Sequence, residues 1–243
     1  MVPFGRTAAV FDVDDSLLDG NAGTIFTWYL YREKALRPET RARIPRVIYE
    51  YARRRLTELD MVQLGSQCHV GLRADELKAH ARACFERHLR KRITSGAIRQ
   101  VRKHLLSGHF VLLASGSPQI IVDELAAHLR VHAALGTRTR IVEGRATDQI
   151  LPPVVFREGK REAVERLCEQ WDLDLERSWL YSDSQADLPL FDAVGHPVVV
   201  NPREGFREVA HQRGWEVVEW ADRTRPGGAA PGEGADEWGS WDG

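Results

Sequence analysis

Short apolar runs recur along the 243 residues of this chain, and stretches with helical spacing of apolar positions lie between them. Runs of this kind predict β-strands, at residues 8–11, 110–114, 179–182, 198–200 and 215–218. The helical patterns in the same part of the chain cover residues 95–106, 118–129, 160–171, 188–193 and 204–213. Strands that alternate with helices predict an α/β fold with a parallel sheet covered on both faces.

Residues 19–93 differ from the rest because their pattern is helical throughout. The predicted helices are Thr24–Glu33, Pro38–Leu56, Leu59–His69 and Ala74–Lys91, with breaks at Gly20, Gly65 and Gly71. We therefore expect an all-helical cap inserted directly after the first strand. An insertion at that point lies over the C-terminal ends of the strands, where α/β sheets bind their ligands.

These patterns divide the chain into three parts. Residues 1–18 and 94–222 form the predicted core, a Rossmann-like three-layer α/β/α arrangement in which residues 136–144 are interpreted as turns. Residues 19–93 form the cap. Residues 223–243 are rich in Gly, Pro, Ala and acidic residues, and they predict a disordered tail because they have little apolar surface to bury.

Composition excludes some classes of protein and leaves others open. A formal net charge of −1 gives no general case for nucleic-acid binding. No apolar run approaches the ~18–20 residues that span a bilayer, and the N-terminal residues lack a signal-peptide pattern. Cys68, Cys84 and Cys168 are scattered, without metal-site spacing. We expect a cytoplasmic protein with no integral membrane segment, and its oligomeric state is left open.

Two aspartates, Asp12 and Asp14, follow the first predicted strand. A strand that ends in this way directs both carboxylates out of the edge of the sheet. Carboxylates so close together repel each other unless a cation lies between them, which favours a hard divalent metal such as Mg²⁺. An ordinary acidic turn after a strand is the other interpretation of this pair.

A second polar group, Ser115 and Gly116, ends the apolar run at residues 110–114. Ser117-Pro118 then suits the N-cap and first position of a helix, so Ser115 and the Gly116 amide would lie where phosphate oxygens bind. Turn and cap chemistry is the alternative for Ser115, and it is the interpretation we adopt for Ser117.

Further charged residues lie at comparable places. Lys160 opens a predicted helix, although the helix dipole disfavours a cation there. Asp183 ends the run at residues 179–182, and Asp187 follows where a helix begins. A surface lysine and a capping aspartate are the alternatives for Lys160 and Asp187.

Taken together, these residues predict phosphoryl transfer. Asp12 would attack phosphorus to give an aspartyl-phosphate, and Asp14 would act as the general acid and base. Mg²⁺ would be held by Asp12, the Asp14 backbone carbonyl and Asp183. Phosphate oxygens would be bound by Ser115, Gly116 and Lys160, and Asp187 would orient Lys160 or a metal-bound water.

The four motifs resemble those of the haloacid dehalogenase superfamily, namely Asp12-Val13-Asp14-Asp15-Ser16, Ser115, Lys160, and Asp183 with Asp187. The predicted cap is similar to that of the phosphoserine-phosphatase-like branch, and subfamily IB hydrolases are the most similar. The stretches that carry this likeness are 114–118, 159–160, 181–184, 187–190, 194–197, 200–202 and 213–215. The resemblance covers about residues 7–220 and implies Mg²⁺-dependent hydrolysis of a small phosphorylated metabolite through an aspartyl-phosphate.

The chain departs from the family pattern at two positions. Asp15 adds a third carboxylate, which we expect to point away from the metal. Asn21 stands where phosphoserine phosphatases carry a glutamate that pairs with the substrate amine, so we expect L-phosphoserine not to be the best substrate. A phosphoserine phosphatase proper, a phosphotransferase or phosphomutase on the same scaffold, and a catalytically silent binding protein are the alternatives.

Basic residues outnumber acidic ones in one part of the cap. Between residues 32 and 55 only Glu33, Glu39 and Glu50 are acidic, against Arg32, Lys34, Arg37, Arg41, Arg43, Arg46, Arg53, Arg54 and Arg55. This excess suits an anionic group of the substrate beyond its phosphate, or an acidic lipid surface. A solvated helix face is the simpler interpretation.

Overall fold

The computed structural model describes residues 5–53, 55–202 and 204–220. The strands found there are β1 (Arg6–Phe11), β2 (Phe110–Pro118), β3 (Ala133–Val142), β4 (Arg145–Leu151), β5 (Leu173–Ser182), β6 (His196–Val200) and β7 (Glu216–Val218). They form a single sheet in the order β4-β3-β2-β1-β5-β6-β7. Every neighbouring pair is parallel except β3 and β4, which are antiparallel. The predicted α/β class is confirmed, with one antiparallel strand added at the edge.

Helices cover both faces of this sheet. They are α1 (Ala22–Arg32), α2 (Pro38–Ala52), α3 (Glu58–Cys68), α4 (Ala74–Cys84), α5 (Ser95–Leu106), α6 (Gln119–Leu129), α7 (Glu158–Trp171), α8 (Leu188–Phe191) and α9 (Glu204–Gln212). On β1, Ala9 and Phe11 belong to the apolar cluster of α5, α6 and the cap, whereas Ala8 and Val10 belong to that of α7, α8 and α9. A strand with apolar residues on both faces is typical of a buried parallel sheet. The three layers are therefore confirmed.

The helical insertion begins and ends at one point of the core. Leu18 and Ile93 form an antiparallel bridge, and the amide of Thr94 donates to the carbonyl of Leu17. The helices α1 to α4 lie between these two passages of the chain. The segments that enter and leave the insertion are therefore hydrogen-bonded to each other at the predicted boundaries 18/19 and 93/94. The division into domains at these boundaries stays a prediction.

The interpretation of residues 136–144 as turns was wrong. β3 and β4 form a hairpin there, turning at Glu143 and Gly144, whose φ angles are 48° and 74°. Most of the hairpin's side chains are exposed or half-buried, so neither face carries an alternating apolar pattern. The tip bonds to the cap: the Gly71 amide donates to Ala146, that of Ala146 to Leu72, and that of Ala74 to Gly144.

Several predicted helix ends shift in the structure. The helix predicted to reach Leu56 ends at Ala52. The helix predicted for Ala74–Lys91 is α-helical only as far as Cys84, and it is followed by a π-helical turn at Phe85–Leu89 and a 3-10 turn at Arg90–Arg92. Gly65, expected as a break, lies inside α3. The predicted tail, residues 223–243, lies outside the described residues. In the part of the chain that the structure describes, no helix has the length and apolarity needed to cross a bilayer.

Candidate active site

The predicted catalytic residues converge at the C-terminal edge of the sheet. Asp12 directly follows β1, Ser115 lies near the end of β2, and Asp183 directly follows β5. Because β1 lies between β2 and β5, these three positions are neighbours in space. The Asp12 amide donates to the carbonyl of Tyr181 at 2.9 Å, so the ladder between β1 and β5 continues to the candidate nucleophile.

Lys160 connects two of the carboxylates. Its Nζ lies 2.7 Å from Asp12 Oδ1 and 2.7 Å from Asp187 Oδ2. The Ser182 hydroxyl also donates to Asp187 Oδ2, at 2.7 Å. Lys160 is 4% exposed and Asp187 is 1% exposed, so this ion-pair network lies out of solvent. Such a network holds the ammonium group in one place.

The start of α7 explains why Lys160 reaches the sheet edge. The preceding residue Arg157 has φ 50° and ψ −126°, an unfavourable backbone conformation for a non-glycine residue. A Cβ on Gly159 would lie 2.1 Å from the carbonyl oxygen of Val154, so only glycine permits this close passage. The helix therefore begins directly beside the site, with Lys160 in its first turn.

The electrostatics of this cluster are dominated by burial and by excess negative charge. Burial raises the pKa of Asp12 to about 7, although the charge of Lys160 lowers it. Burial alone would lower the pKa of Lys160, but the attraction of Asp12 and Asp187 outweighs it and raises that pKa above its ordinary value. The lysine thus stays protonated, and additional positive charge would stabilise the ionised form of Asp12.

The residues around Asp12 and Asp183 fit Mg²⁺. Burial and the charge of Asp12 raise the pKa of Asp183 well above its usual range, and Ser16 Oγ donates to Asp183 Oδ1 at 3.0 Å. Among the described residues, Asp12 Oδ2 and Asp183 Oδ2 accept no hydrogen bond. Each of these two carboxylates therefore has an oxygen available to bind a metal ion. Mg²⁺ suits such a pair because proteins usually bind it through one or two carboxylates while it keeps several water ligands. Three or more acidic, His or Cys side chains do not converge on a metal site anywhere in the described ranges.

Asp14 is held by three donors. Its Oδ2 accepts from the hydroxyls of Ser115 at 2.7 Å and Ser117 at 2.9 Å, and its Oδ1 accepts from the Ala22 amide at 2.6 Å. Burial raises the pKa of Asp14 even though these hydrogen bonds lower it. A carboxyl group whose neutral form is favoured in this way suits a general acid. The Ser115 hydroxyl donates to Asp14 here, and its role toward phosphate stays a prediction.

Ser117 is a site residue that the sequence interpretation missed. It was expected to be the N-cap of a helix, but it belongs to β2, and Pro118 occupies the N-cap position of α6. Its hydroxyl accepts from the Gly23 amide at 2.9 Å while it donates to Asp14. Ser115 and Ser117 are two positions apart on a strand, a spacing that puts both side chains on one face. That spacing was the available signal.

Three other predicted positions lie beside the same cluster. The Asn21 carbonyl oxygen accepts from the Thr24 amide at 2.8 Å, so this side chain caps α1. A Cβ on Gly116 would lie 3.3 Å from Val62 Cγ2 of the cap, which leaves little room for a larger residue. Asp15 is exposed and has φ 56°, and its charge contributes to the raised pKa of Asp183. The specificity role of Asn21, the phosphate-binding role of Gly116 and the orientation of Asp15 relative to a metal stay predictions.

A cavity of about 1020 Å³ lies between the core and the cap. Asp12, Lys160 and Asp183 form part of its floor, and α1, α2 and α3 contribute its roof. The cavity connects the cluster of charged residues to the cap side chains. It therefore has room for a substrate that contacts both parts of the molecule.

Comparison with known proteins agrees with this geometry. Over 223 residues the chain is 27% identical to a protein of Mycobacterium tuberculosis named "Probable phosphatase", covering 90% of this chain and 77% of that protein. It is 28% identical over 227 residues to a phosphoserine phosphatase of the same organism, covering 88% of this chain and 70% of that protein. A solved structure from Bordetella pertussis, of a protein with unknown function, is similar with a TM-score of 0.80 and 29% identity, covering 89% of this chain and 100% of that one.

The family model for haloacid dehalogenase-like hydrolases matches residues 9–192. The matched range contains Asp12, Ser115, Lys160, Asp183 and Asp187, which the fold brings to one edge of the sheet. This chain therefore belongs to the haloacid dehalogenase-like hydrolase family.

Proposed function

We propose that this chain, a phosphatase of the haloacid dehalogenase-like family, hydrolyses a small phosphorylated metabolite through an aspartyl-phosphate on Asp12, with Mg²⁺ as cofactor. The observation that carries this proposal is the buried contact of Lys160 with both Asp12 and Asp187, at 2.7 Å each. This contact places the proposed nucleophile Asp12 beside a positive charge at the C-terminal edge of the sheet. A cytoplasmic location is part of the proposal, and the three buried free cysteines agree with it.

The reaction has two displacements at phosphorus. A carboxylate oxygen of Asp12 forms a bond to phosphorus while the bond from phosphorus to the ester oxygen breaks. Asp14 gives its proton to that departing oxygen, and the alcohol leaves. Asp14 then takes a proton from water as the water oxygen attacks the same phosphorus. This second step releases inorganic phosphate and restores the Asp12 carboxylate.

The surrounding residues stabilise charge and hold the reacting groups. Lys160 would bind a phosphate oxygen while Asp187 and Ser182 keep the ammonium group in position, and Ser115 with the Gly116 amide would bind other phosphate oxygens. Asp12, Asp183 and the backbone carbonyl of Asp14 would hold Mg²⁺. When bound, Mg²⁺ supplies positive charge that reduces the repulsion between the carboxylate and the phosphate dianion.

The test is Mg²⁺-dependent release of inorganic phosphate from a panel of phosphomonoesters. We expect activity that EDTA abolishes and Mg²⁺ restores, and that Asp12→Asn removes. Asp19→Asn is the matched control, because Asp19 is an exposed aspartate at the start of the cap. Mass spectrometry of acid-quenched enzyme should find one phosphoryl group on the peptide that contains Asp12. Full activity in Asp12→Asn, or no phosphate release from any ester, would overturn the proposal.

A further inference from the structure

The structure separates the basic residues of the cap into different environments. The guanidinium of Arg41 lies over the ring of Tyr31 at 5.1 Å, that of Arg53 lies over Tyr49 at 5.2 Å, and Arg55 pairs with Glu50. Arg37 and Arg43 instead line the cavity. Within the described residues, neither of these two arginines has an ion-pair partner within 4.0 Å.

Arg37 and Arg43 lie on one face of the cap. The cavity-lining residues of α2 and the position just before it are Arg37, Thr40, Arg43, Ile44 and Val47. Steps of three and four residues put side chains on the same face of a helix. The roof of the cavity therefore presents two guanidinium groups and a hydroxyl beside two apolar side chains.

The exposed side chain of Arg37 packs against Gly71 of the cap. A Cβ on Gly71 would lie 3.3 Å from Arg37 Cδ and 3.5 Å from its Nε, so the arginine stem lies against a residue without a side chain. Gly71 has φ 84°, and its carbonyl oxygen accepts from Arg145 Nη1 of the β3–β4 hairpin at 2.8 Å. The hairpin thus holds the surface on which Arg37 lies.

The charge of Arg43 also affects a side chain of the neighbouring helix α3. Burial raises the pKa of the Cys68 thiol to about 11, and the charge of Arg43 opposes that rise. Cys68 ends α3 and also lines the cavity. The positive charge of Arg43 therefore acts on a group that lines the cavity, and not only at the outer surface of α2.

The two ends of the cavity differ in charge. Its carboxylates belong to the core and the hairpin, whereas the described cap side chains that line it include no carboxylate. Gly65 of α3 lies on the cap side, where a Cβ would have no described neighbour within 4 Å. The roof therefore offers space and positive charge to a group that lies away from the reacting phosphate.

We propose that Arg37 and Arg43 bind a second anionic group of the substrate, so that this enzyme acts on phosphomonoesters that carry a carboxylate or a second phosphate at the distal end. This inference rests on the proposed function, because it takes the scissile phosphate to lie at Asp12 and Lys160. Guanidinium groups pair with both kinds of anion through paired hydrogen bonds. Asn21 is neutral and provides no charge for a substrate amine.

The test compares esters that differ only at the distal end. Linear alkyl phosphates of increasing chain length are assayed beside their ω-carboxylate and ω-phosphate counterparts, and kcat/KM is measured for each. At the length that spans the cavity, we expect the wild type to prefer an anionic ester by about tenfold or more, as charge-assisted hydrogen bonds predict. The carboxylate and phosphate series distinguish which anion is preferred.

Variants then assign that preference to the two arginines. In Arg37→Gln/Arg43→Gln we expect the ratio of kcat/KM for anionic over neutral esters to fall to near one. Arg46→Gln is the matched control, because Arg46 is exposed on α2 and does not line the cavity, and it should keep the wild-type ratio. Using a ratio within each variant cancels any general loss of folded enzyme. In Arg43→Glu, ω-amino esters should become better substrates than ω-carboxylate esters.

The outcomes separate this inference from the proposed function. If neutral esters are hydrolysed and Asp12→Asn is inactive, but the double variant keeps the preference for anionic esters, then the inference is wrong and the function stands. The inference is also wrong if the wild type shows no such preference at any chain length. If the wild type releases no phosphate from neutral or anionic esters, then the proposed function itself fails.

Discussion

The carboxylate of Asp14 is held by the first helical residue of the cap, since its Oδ1 accepts a 2.6 Å hydrogen bond from the backbone amide of Ala22. Ser117 adds a second link, because its hydroxyl joins Asp14 to the amide of Gly23. The proposed general acid and base is thus positioned partly by the helix that begins the cap. Proton transfer and the placement of the cap therefore depend on the same few hydrogen bonds.

Ser117→Ala should test this link directly. The substitution leaves the Gly23 amide without its acceptor and removes one donor from Asp14. We expect kcat to fall about tenfold through misplacement of the acid, and the free energy of unfolding to fall by about 1–2 kcal/mol. Saturating-substrate kinetics and urea unfolding measure the two effects. Ser107→Ala, at an exposed serine that ends α5, should change neither, and unaltered kcat in Ser117→Ala would contradict the prediction.

Lys160→Met should remove both activity and stability. The variant leaves Asp12 and Asp187 as unpaired carboxylates in a buried place, which costs about 3–5 kcal/mol. Adding Asp187→Asn to Lys160→Met should recover part of that stability, because one of the unpaired charges is gone, while activity stays absent. Urea unfolding of both variants and of Lys103→Met, an exposed control, provides the measurement. A double variant no more stable than the single one would refute this account of the ion pairs.

Asn21 should decide how well the enzyme accepts a substrate with an amine. We expect the wild type to hydrolyse L-phosphoserine no better than 3-phosphoglycerate, which lacks the amine. Asn21→Asp keeps an N-cap acceptor for Thr24 and adds a negative charge, so it should raise the relative kcat/KM for phosphoserine several-fold. Asn21→Glu should do the same with some loss of stability, because glutamate is a weaker cap. A wild-type rate on phosphoserine far above all other esters would contradict this prediction.

His69 should make the protein less stable in mild acid. The side chain is 3% exposed, its Nε2 has no hydrogen-bond partner among the residues that the structure describes, and burial lowers its pKa to about 4 from 6.5. Below pH 6.5 the unfolded chain therefore binds a proton that the folded chain does not bind. Stability from this residue is fully present above pH 6.5 and is lost as the pH falls toward 4, by at most about 3 kcal/mol.

The contribution of His69 is measured as a difference, because raised pKa values of carboxyl groups such as Asp12 act in the opposite direction. Urea unfolding of wild type and His69→Leu at pH 7.5, 6 and 5 should give curves whose separation shifts in favour of the variant as the pH falls. His211→Gln, at an exposed histidine, should run parallel to the wild type. Parallel curves for His69→Leu as well would disprove the assignment.

Local sequence signals predicted which side chains meet at the C-terminal edge of the sheet, and their catalytic roles stay predictions. Asp12, Ser115 and Asp183 follow apolar runs, and the ends of parallel strands meet at one edge whatever the rest of the chain does. The partners of these residues were harder to predict. Ser182 contacts Asp187 through a local turn, but the contact of Ser117 with Gly23 joins positions that are far apart along the chain.

Two other features could not be read from spacing for different physical reasons. The hairpin of β3 and β4 has few buried positions, so it lacks the alternation that marks a strand. Arg37 and Arg43 line the cavity, whereas Arg41 and Arg46 are not among its lining residues. Which of these arginines line it depends on which face of α2 is turned toward the core. A helical period shows which residues share a face, but it does not show what that face meets.

The bonds between the cap and the β3–β4 hairpin limit how the cavity can open. The cap joins the core where the chain passes twice, at the bridge between Leu18 and Ile93, and again through the amides of Gly71, Ala74 and Ala146. While both fastenings hold, a body fastened at two separated points can rotate only about the line that joins them. A wide opening about the attachment at Leu18 and Ile93 alone therefore requires the hairpin tip to detach, whereas with the tip attached the substrate enters beside a cap that stays on the hairpin. Slow hydrogen exchange at the Gly71 and Ala146 amides during turnover would identify the second route.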